Sequence, residues 1–254
     1  MKRSSGVRLC AAAVAGALSF ALVTGCSQGD ARHSGPASKA LGAAELKQRI
    51  IARGEVPGFQ VQPVPATRAR PITTDSARCR PLARVMSGLP PLDAAAKTDR
   101  LAMENQKKAP STKPTSLDDL DEGKFKEAMQ KSLDRDVTTV TLASYDGEGA
   151  GKALESVRTA VPACASGFSA VQAGTKMKFT KVVEEKATST GDGVVAFAAT
   201  TDTDEGDPAP VHAEVVRVGN TLAGYFTTNL GSMMGKKAYV VSPAVVKAQQ
   251  AKLK

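Results

Sequence analysis

The chain has 254 residues and a formal net charge of +9, and 42% of its residues are hydrophobic. This length and apolar content are enough for one well-buried domain. It contains no tryptophan, and aromatic residues make up only 4% of it. Surfaces that bind nucleic acid combine positive charge with aromatic side chains on which bases stack, so this composition argues against a nucleic-acid partner.

The first 25 residues have the order of a bacterial export signal. Basic residues come first, at Lys2, Arg3 and Arg8. A mainly apolar run follows, shorter than the roughly 18 residues that a membrane-spanning helix needs. It ends in Val23-Thr24-Gly25-Cys26, the pattern at which bacterial lipoproteins are cleaved and acylated. We therefore predict that Cys26 carries acyl chains such as palmitate and anchors the protein on the extracytoplasmic face of the cell membrane. The alternative is plain secretion with Cys26 as an ordinary thiol.

A flexible tether is predicted for residues 26–39, which are small and polar with glycine and proline, ahead of a single domain over residues 40–254. The domain should begin with an amphipathic helix from Leu41 to Ile51 and a strand from Phe59 to Pro63. Pro81 is typical of a first helical turn, which places Cys79 at or just before a helix.

The following stretch, residues 89–115, is rich in proline, lysine and alanine and gives no clear pattern, whereas residues 117–133 predict a helix interrupted at Gly123. The β-branched run from Asp136 to Ser144 predicts a strand. From Ala150 to Cys164, apolar residues recur at three- and four-residue spacing, so they share one face of a helix and Cys164 points to the core.

The last third of the chain predicts strands separated by turns, and a final helix. The ranges are Met177–Val183, Gly193–Thr200, Val211–Val218, Leu222–Thr227 and, for the helix, Pro243–Leu253. Successive strands with few crossover helices favour antiparallel pairing. The predicted fold class is therefore α+β, a twisted antiparallel sheet with flanking helices in a single domain.

Two cysteines remain in the folded part if residues 1–26 are accounted for by the signal and the lipid. They are Cys79 and Cys164, and in an oxidising compartment two thiols suggest one disulfide. The alternatives are two buried free thiols, or a metal pair, for which no histidine lies near either cysteine.

Five arginines lie close together before the middle of the chain: Arg68, Arg70, Arg78, Arg80 and Arg84. Clustered cations are attracted to anionic surfaces, so this cluster is a candidate patch for lipid headgroups or anionic wall polymers. A solvated surface without a partner is the alternative.

Motifs for catalysis are missing from the sequence. It has no Gly-x-Ser-x-Gly elbow, zinc-protease motif, phosphate loop or dinucleotide fingerprint. Its two histidines are His33, in the tether, and His212, alone in a strand-like run. The acidic stretch Asp202–Asp207 is typical of a hairpin connection as much as of a calcium site. We expect a protein that is not an enzyme and has no cofactor and no bound metal.

Four segments resemble a family of actinobacterial, Streptomyces-like lipoproteins that are described as sensor-domain-like. They are Cys79-Arg-Pro-Leu82, Val140-Thr-Leu-Ala-Ser-Tyr145, Ala160-Val-Pro-Ala-Cys164 and Val215-Val-Arg-Val-Gly219. This family is in turn distantly similar to the extracellular sensor domain of mycobacterial PknH-type kinases. The resemblance implies a twisted antiparallel sheet with helices beside a cleft, and binding of a ligand or partner that it does not name.

Two functions are predicted from these observations; an envelope hydrolase is a third alternative, for which the sequence shows no catalytic motif. The first is a membrane-anchored extracytoplasmic lipoprotein that acts as a ligand-binding or sensor-like module, with an apolar cleft between sheet and helices as its site. The alternative is a structural envelope protein that binds anionic wall polymers or lipid headgroups through the arginine cluster.

Overall fold

The computed structural model describes residues 39–106, 122–202 and 208–254. The predicted signal peptide, Cys26 and most of the tether therefore lie outside the described residues. The helices are α1 Ala43–Arg49, α2 Arg80–Met86, α3 Glu122–Leu133, α4 Gly149–Ala163, α5 Leu230–Met234 and α6 Pro243–Ala251. The strands are β1 Phe59–Gln62, β2 Ile72–Thr73, β3 Ala96–Glu104, β4 Val137–Ser144, β5 Phe168–Gln172, β6 Thr175–Glu185, β7 Gly193–Asp202, β8 Pro208–Val218 and β9 Thr221–Thr228.

The described strands form one nine-stranded antiparallel sheet in the order β1-β3-β4-β9-β8-β7-β6-β5-β2. Neighbours in the sheet are mostly neighbours in the chain, since β5 to β9 follow one another as a meander. All described residues belong to one compact unit. The predicted α+β fold with an antiparallel sheet and flanking helices is confirmed.

Side chains alternate between the two faces of the sheet along each strand. Both faces are buried, because each of them packs into a hydrophobic core of its own. We call the face that carries Ala213 and Val215 the first face, and the face that carries Glu214 and Val216 the second face. Helices α2 and α4 pack on the first face and share one core with it. Residues of α1 and α6 share a second core with the second face.

The side chain of Gln249, which is fully buried on α6, joins the two ends of the described chain on the second face. Its Oε1 accepts from the Ile51 backbone N–H at 3.0 Å, and its Nε2 donates to the Arg49 carbonyl at 2.8 Å. The last helix therefore holds the end of the first one.

The predicted elements of the C-terminal half agree with the structure within a few residues, and so do α1, β1 and α2. Four described elements were not predicted: β2, β3, β5 and α5. Helix α3 begins at Glu122, and residues 117–121 of the predicted helix lie outside the described residues. Pro162 stands inside the last turn of α4, which still continues to Ala163.

A disulfide joins Cys79 and Cys164, as predicted, with their Cα atoms 5.9 Å apart. Cys79 precedes α2 and Cys164 follows α4, and both are buried in the core of the first face. The bond therefore ties the start of one covering helix to the end of the other.

Replacing both cysteines with alanine should lower the free energy of unfolding by roughly 2 to 5 kcal/mol, the usual loss for a native bridge. Urea unfolding followed by circular dichroism measures this loss. The control is wild-type protein kept under reductant through unfolding and refolding, which opens the bond without removing either sulfur. Equal midpoints for all three samples would show that the bond does not stabilise the fold.

Candidate binding groove

A groove of about 460 Å³ lies on the first face, at the end of the sheet that α4 leaves uncovered. We call it the arginine groove. Its side chains come from the loop before β2, the end of α2, strands β4 and β9, and the β5–β6 hairpin. The residues used below are Arg68, Arg70, Met86, Thr139, Thr175, Met177 and Phe226.

The loop that carries the two arginines contains a hydrogen-bonded turn and is attached to other elements at its C-terminal end. A turn forms where the Arg68 N–H donates to the Pro65 carbonyl at 2.9 Å. Gln172 on β5 donates to the Arg70 carbonyl at 2.9 Å, and the Ile72 N–H donates to Ser87 Oγ at 2.7 Å. The chain is therefore fixed to β5 at Arg70 and to the end of α2 at Ile72, and Arg68 lies in the turn just before these contacts.

The inner wall of the groove is close-packed. Gly88 has a φ of +68°, and a Cβ atom there would meet Thr139 Cγ2 at 2.7 Å, so this turn accepts glycine and little else. Thr141 Oγ1 donates to the Gly88 carbonyl at 2.8 Å. Behind this wall a cavity of about 10 Å³ shares Thr139 and Phe226 with the groove, which is room for about one water molecule.

The structure divides the predicted arginine cluster. Arg68 and Arg70 line the arginine groove, whereas Arg78 lines a shallow groove between α2 and α4. Arg80 is exposed. Arg84 is paired within the fold, because it donates to Asp93 at 2.9 Å and to the Pro90 carbonyl at 2.7 Å.

Among the described residues, no acidic side chain lines the arginine groove, and none forms an ion pair with Arg68 or Arg70 within 4.0 Å. A second groove, beside the start of α4, differs in this respect. Its cations Lys152 and Arg158 pair with Glu148 and Glu155 at 3.6 and 2.7 Å. The positive charge of the arginine groove is thus not neutralised by its own lining.

The second face carries a buried carboxylate that the sequence analysis did not single out. Glu214 is only 1% exposed and accepts from both the N–H and the hydroxyl of Thr188 and of Ser189; the two N–H distances and the Thr188 Oγ1 distance are each 2.8 Å. The cross-strand neighbour Tyr225 has a hydroxyl without a hydrogen-bond partner in the described part of the chain. Burial, together with the Glu214 charge, raises the pKa of that hydroxyl. Because Thr188 and Ser189 belong to the β6–β7 connection, their hydrogen bonds to Glu214 fix this connection to the sheet.

His212 lies on the same second face and is fixed by two neighbours. Its Nδ1 is 2.8 Å from Glu185 Oε2, and its ring meets the Tyr239 ring edge-on at 4.4 Å between centroids. Burial raises the pKa of the Tyr239 hydroxyl, which donates to the Pro210 carbonyl at 2.5 Å. His212 lines none of the grooves described above and is separated from the arginine groove by the sheet.

Metal ligands are not gathered anywhere in the part of the chain that the structure describes: no three His, Cys, Asp or Glu side chains are placed to hold an ion. Residues 203–207 of the acidic stretch Asp202–Asp207 lie outside that part. Among the same residues, no helix is long and apolar enough to cross a membrane.

No protein-family model matches the chain, and no curated protein matches it. Among solved structures, it is similar to the crystal structure of the extracellular domain of PknH from Mycobacterium tuberculosis. The TM-score is 0.47 at 8% sequence identity, and the alignment covers 84% of this chain and 98% of that one. This structure is the extracellular domain of PknH, which is the kind of domain that the resemblance in the sequence named. Membership of an actinobacterial lipoprotein family stays a prediction.

Glu214→Gln should lower the free energy of unfolding by about 2 to 4 kcal/mol, because one carboxylate oxygen becomes an amide that faces two donors. Urea unfolding measures the change. Glu184→Gln is the matched control, since Glu184 is exposed on β6, and it should change the free energy by less than about 0.5 kcal/mol. Equal effects of the two substitutions would contradict the role given to Glu214.

Proposed function

We propose that the protein is a membrane-anchored extracytoplasmic lipoprotein that binds a ligand in the arginine groove and acts as a ligand-binding or sensor-like module. The export signal and the Val23-Thr24-Gly25-Cys26 pattern support the anchor. The groove supports the binding role, since its volume lies within the usual range of ligand sites.

The observation that carries the proposal is the placement of the groove relative to the point where the chain enters the domain. The Leu41 N–H donates at 2.8 Å to Oγ of Ser144, the last residue of β4, and the Ala40 N–H donates at 2.9 Å to Oδ1 of Asp146, just beyond that strand. Thr139, in the groove, lies near the opposite end of β4. The five residue steps from Thr139 to Ser144 span about 17 Å. The described chain therefore enters the domain at the end of the sheet away from the groove.

The tether would give the groove freedom to meet ligands beyond the membrane surface. From Cys26 to Lys39 there are 13 peptide steps, which reach at most about 45 Å when fully extended. Small polar residues make such a segment flexible.

The alternative function, a structural protein that binds anionic wall polymers or lipid headgroups, is supported by the exposure of four of the five arginines. Such binding uses surface charge alone, so it should weaken steadily as salt is raised and should not depend on whether the arginine groove is open.

Cys26→Ala should move the protein from the detergent phase to the aqueous phase in detergent partitioning of bacterial membranes, because two acyl chains give stable anchoring. Cys10→Ala is the matched control, since it removes a cysteine of the signal and leaves the cleavage pattern intact. Wild-type protein found in the aqueous phase would contradict the anchor.

Filling the groove with Thr175→Trp should abolish ligand uptake, because Thr175 is exposed at the groove and a tryptophan there occupies it without disturbing either core. The protein is mixed with an extract of the cell envelope of the bacterium that produces it. Native mass spectrometry then measures the mass of any ligand that stays bound to the protein. Thr159→Trp, on the exposed face of α4, is the control and should bind as wild type does. If no component of the extract binds wild type and is lost from Thr175→Trp, the proposed role is wrong.

A further inference from the structure

We propose that the ligand of the arginine groove is a small amphipathic anion, whose negative headgroup binds Arg68 and Arg70 and whose short apolar part packs on Met86, Met177 and Phe226. This inference rests on the proposed function, because it names the ligand class of the same groove.

The charge of the groove favours an anionic headgroup. Arg68 and Arg70 are exposed, lie two residues apart on a loop whose C-terminal end is fixed, and have no acidic partner among the described residues. The planar guanidinium group binds carboxylate, sulfonate or phosphate oxygens through two parallel hydrogen bonds. Lys176 and Lys178, on the other side of the β5–β6 hairpin, add positive charge nearby. An anion would therefore find donors that are not already in use.

The floor of the groove favours an apolar group beside that anion. Met86 is 2% exposed, and Met177 and Phe226 are half-buried against the core of the first face. Methionine side chains adapt their shape to apolar ligands, and an aromatic ring gives a flat contact surface. Threonine hydroxyls at Thr139 and Thr175 lie at the margins of this floor.

The inner wall limits the length of the apolar part. The cavity behind Thr139 holds about 10 Å³, so a long acyl chain cannot continue past the wall without opening the packed turn at Gly88. The groove itself is open to solvent along its length, and a ring or a short chain fills it. The structure thus favours a compact amphiphile over a membrane lipid.

Two dyes of nearly the same shape test the charge requirement. 1-Anilinonaphthalene-8-sulfonate carries a sulfonate, and N-phenyl-1-naphthylamine is its uncharged counterpart; both fluoresce when bound to apolar sites. We would titrate them into residues 27–254, which contain the whole compact unit and omit the acylated cysteine, so that no detergent competes for the dyes.

The decisive variants remove two arginines each. Arg68→Gln with Arg70→Gln should weaken binding of the sulfonate roughly tenfold, as expected for two exposed ion pairs, and leave the neutral dye within about twofold. Arg78→Gln with Arg80→Gln makes the same change in net charge outside the groove and should leave both dyes unchanged. Thr175→Trp should abolish binding of both dyes, with circular dichroism showing that every variant is folded.

The outcomes separate the two proposals. If Thr175→Trp removes both dyes but the Arg68 and Arg70 variant keeps full affinity for the sulfonate, the groove binds ligands and the anionic class is wrong. Equal losses in the two double variants would mean that net charge, and not the groove, attracts the anion, which also overturns the inference. If wild type binds neither dye, or Thr175→Trp retains both, the groove is not a site and both proposals fail.

Discussion

The disulfide between Cys79 and Cys164 is the constraint on which the first face depends. It fixes α2 and α4 to each other where the two helices cover the sheet, and both of its sulfurs lie in the core. Because α2 ends at Met86 and the chain then turns at Gly88, the position of this bond also determines where the covered part of the face stops. The groove begins at that point. The Cys79–Cys164 bond thereby helps to fix where the arginine groove begins, although the groove starts several residues further along the chain.

Polar side chains have different roles on the two faces of the sheet. On the second face, Glu214 and His212 are buried and Tyr239 is half-buried, and their polar atoms bind other parts of the fold. On the first face, Arg68 and Arg70 are exposed and not paired within the described residues. A buried carboxylate with four donors is costly to disturb and serves stability, whereas exposed unpaired cations cost the fold little and are available to a partner.

Sequence periodicity predicted the elements that are buried and regular. Helix α4 and strands β4, β8 and β9 have strong apolar patterns, and the structure confirms them. Strand β3 was missed because its sequence, Ala-Lys-Thr-Asp-Arg-Leu-Ala-Met-Glu, is charged where β1 does not cover it, and charge on an uncovered edge is a usual protection against aggregation. Strand β2 has two residues, too few for any pattern.

The candidate site could be predicted only in part. The arginine cluster was visible in the sequence, but nothing local indicates that Arg68 and Arg70 turn towards Phe226, which lies more than 150 residues further along the chain, while Arg84 turns to Asp93. The contacts of Glu214 with Thr188 and Ser189 also depend on the β6–β7 pairing. The sequence offered one signal for this contact: Glu214 is a charged residue at a buried position of strand β8.

The link made by Gln249 has a consequence for how the chain reaches its final state. A chain is synthesised from its N terminus, yet α1 is held by a side chain that lies 200 residues further along the chain. The second core therefore stays incomplete until α6 has been made, long after α1. A product that stopped before Pro243 would lack Val245, Val246 and Leu253 of the second core, and it would be a substrate for proteases and not a shortened working domain.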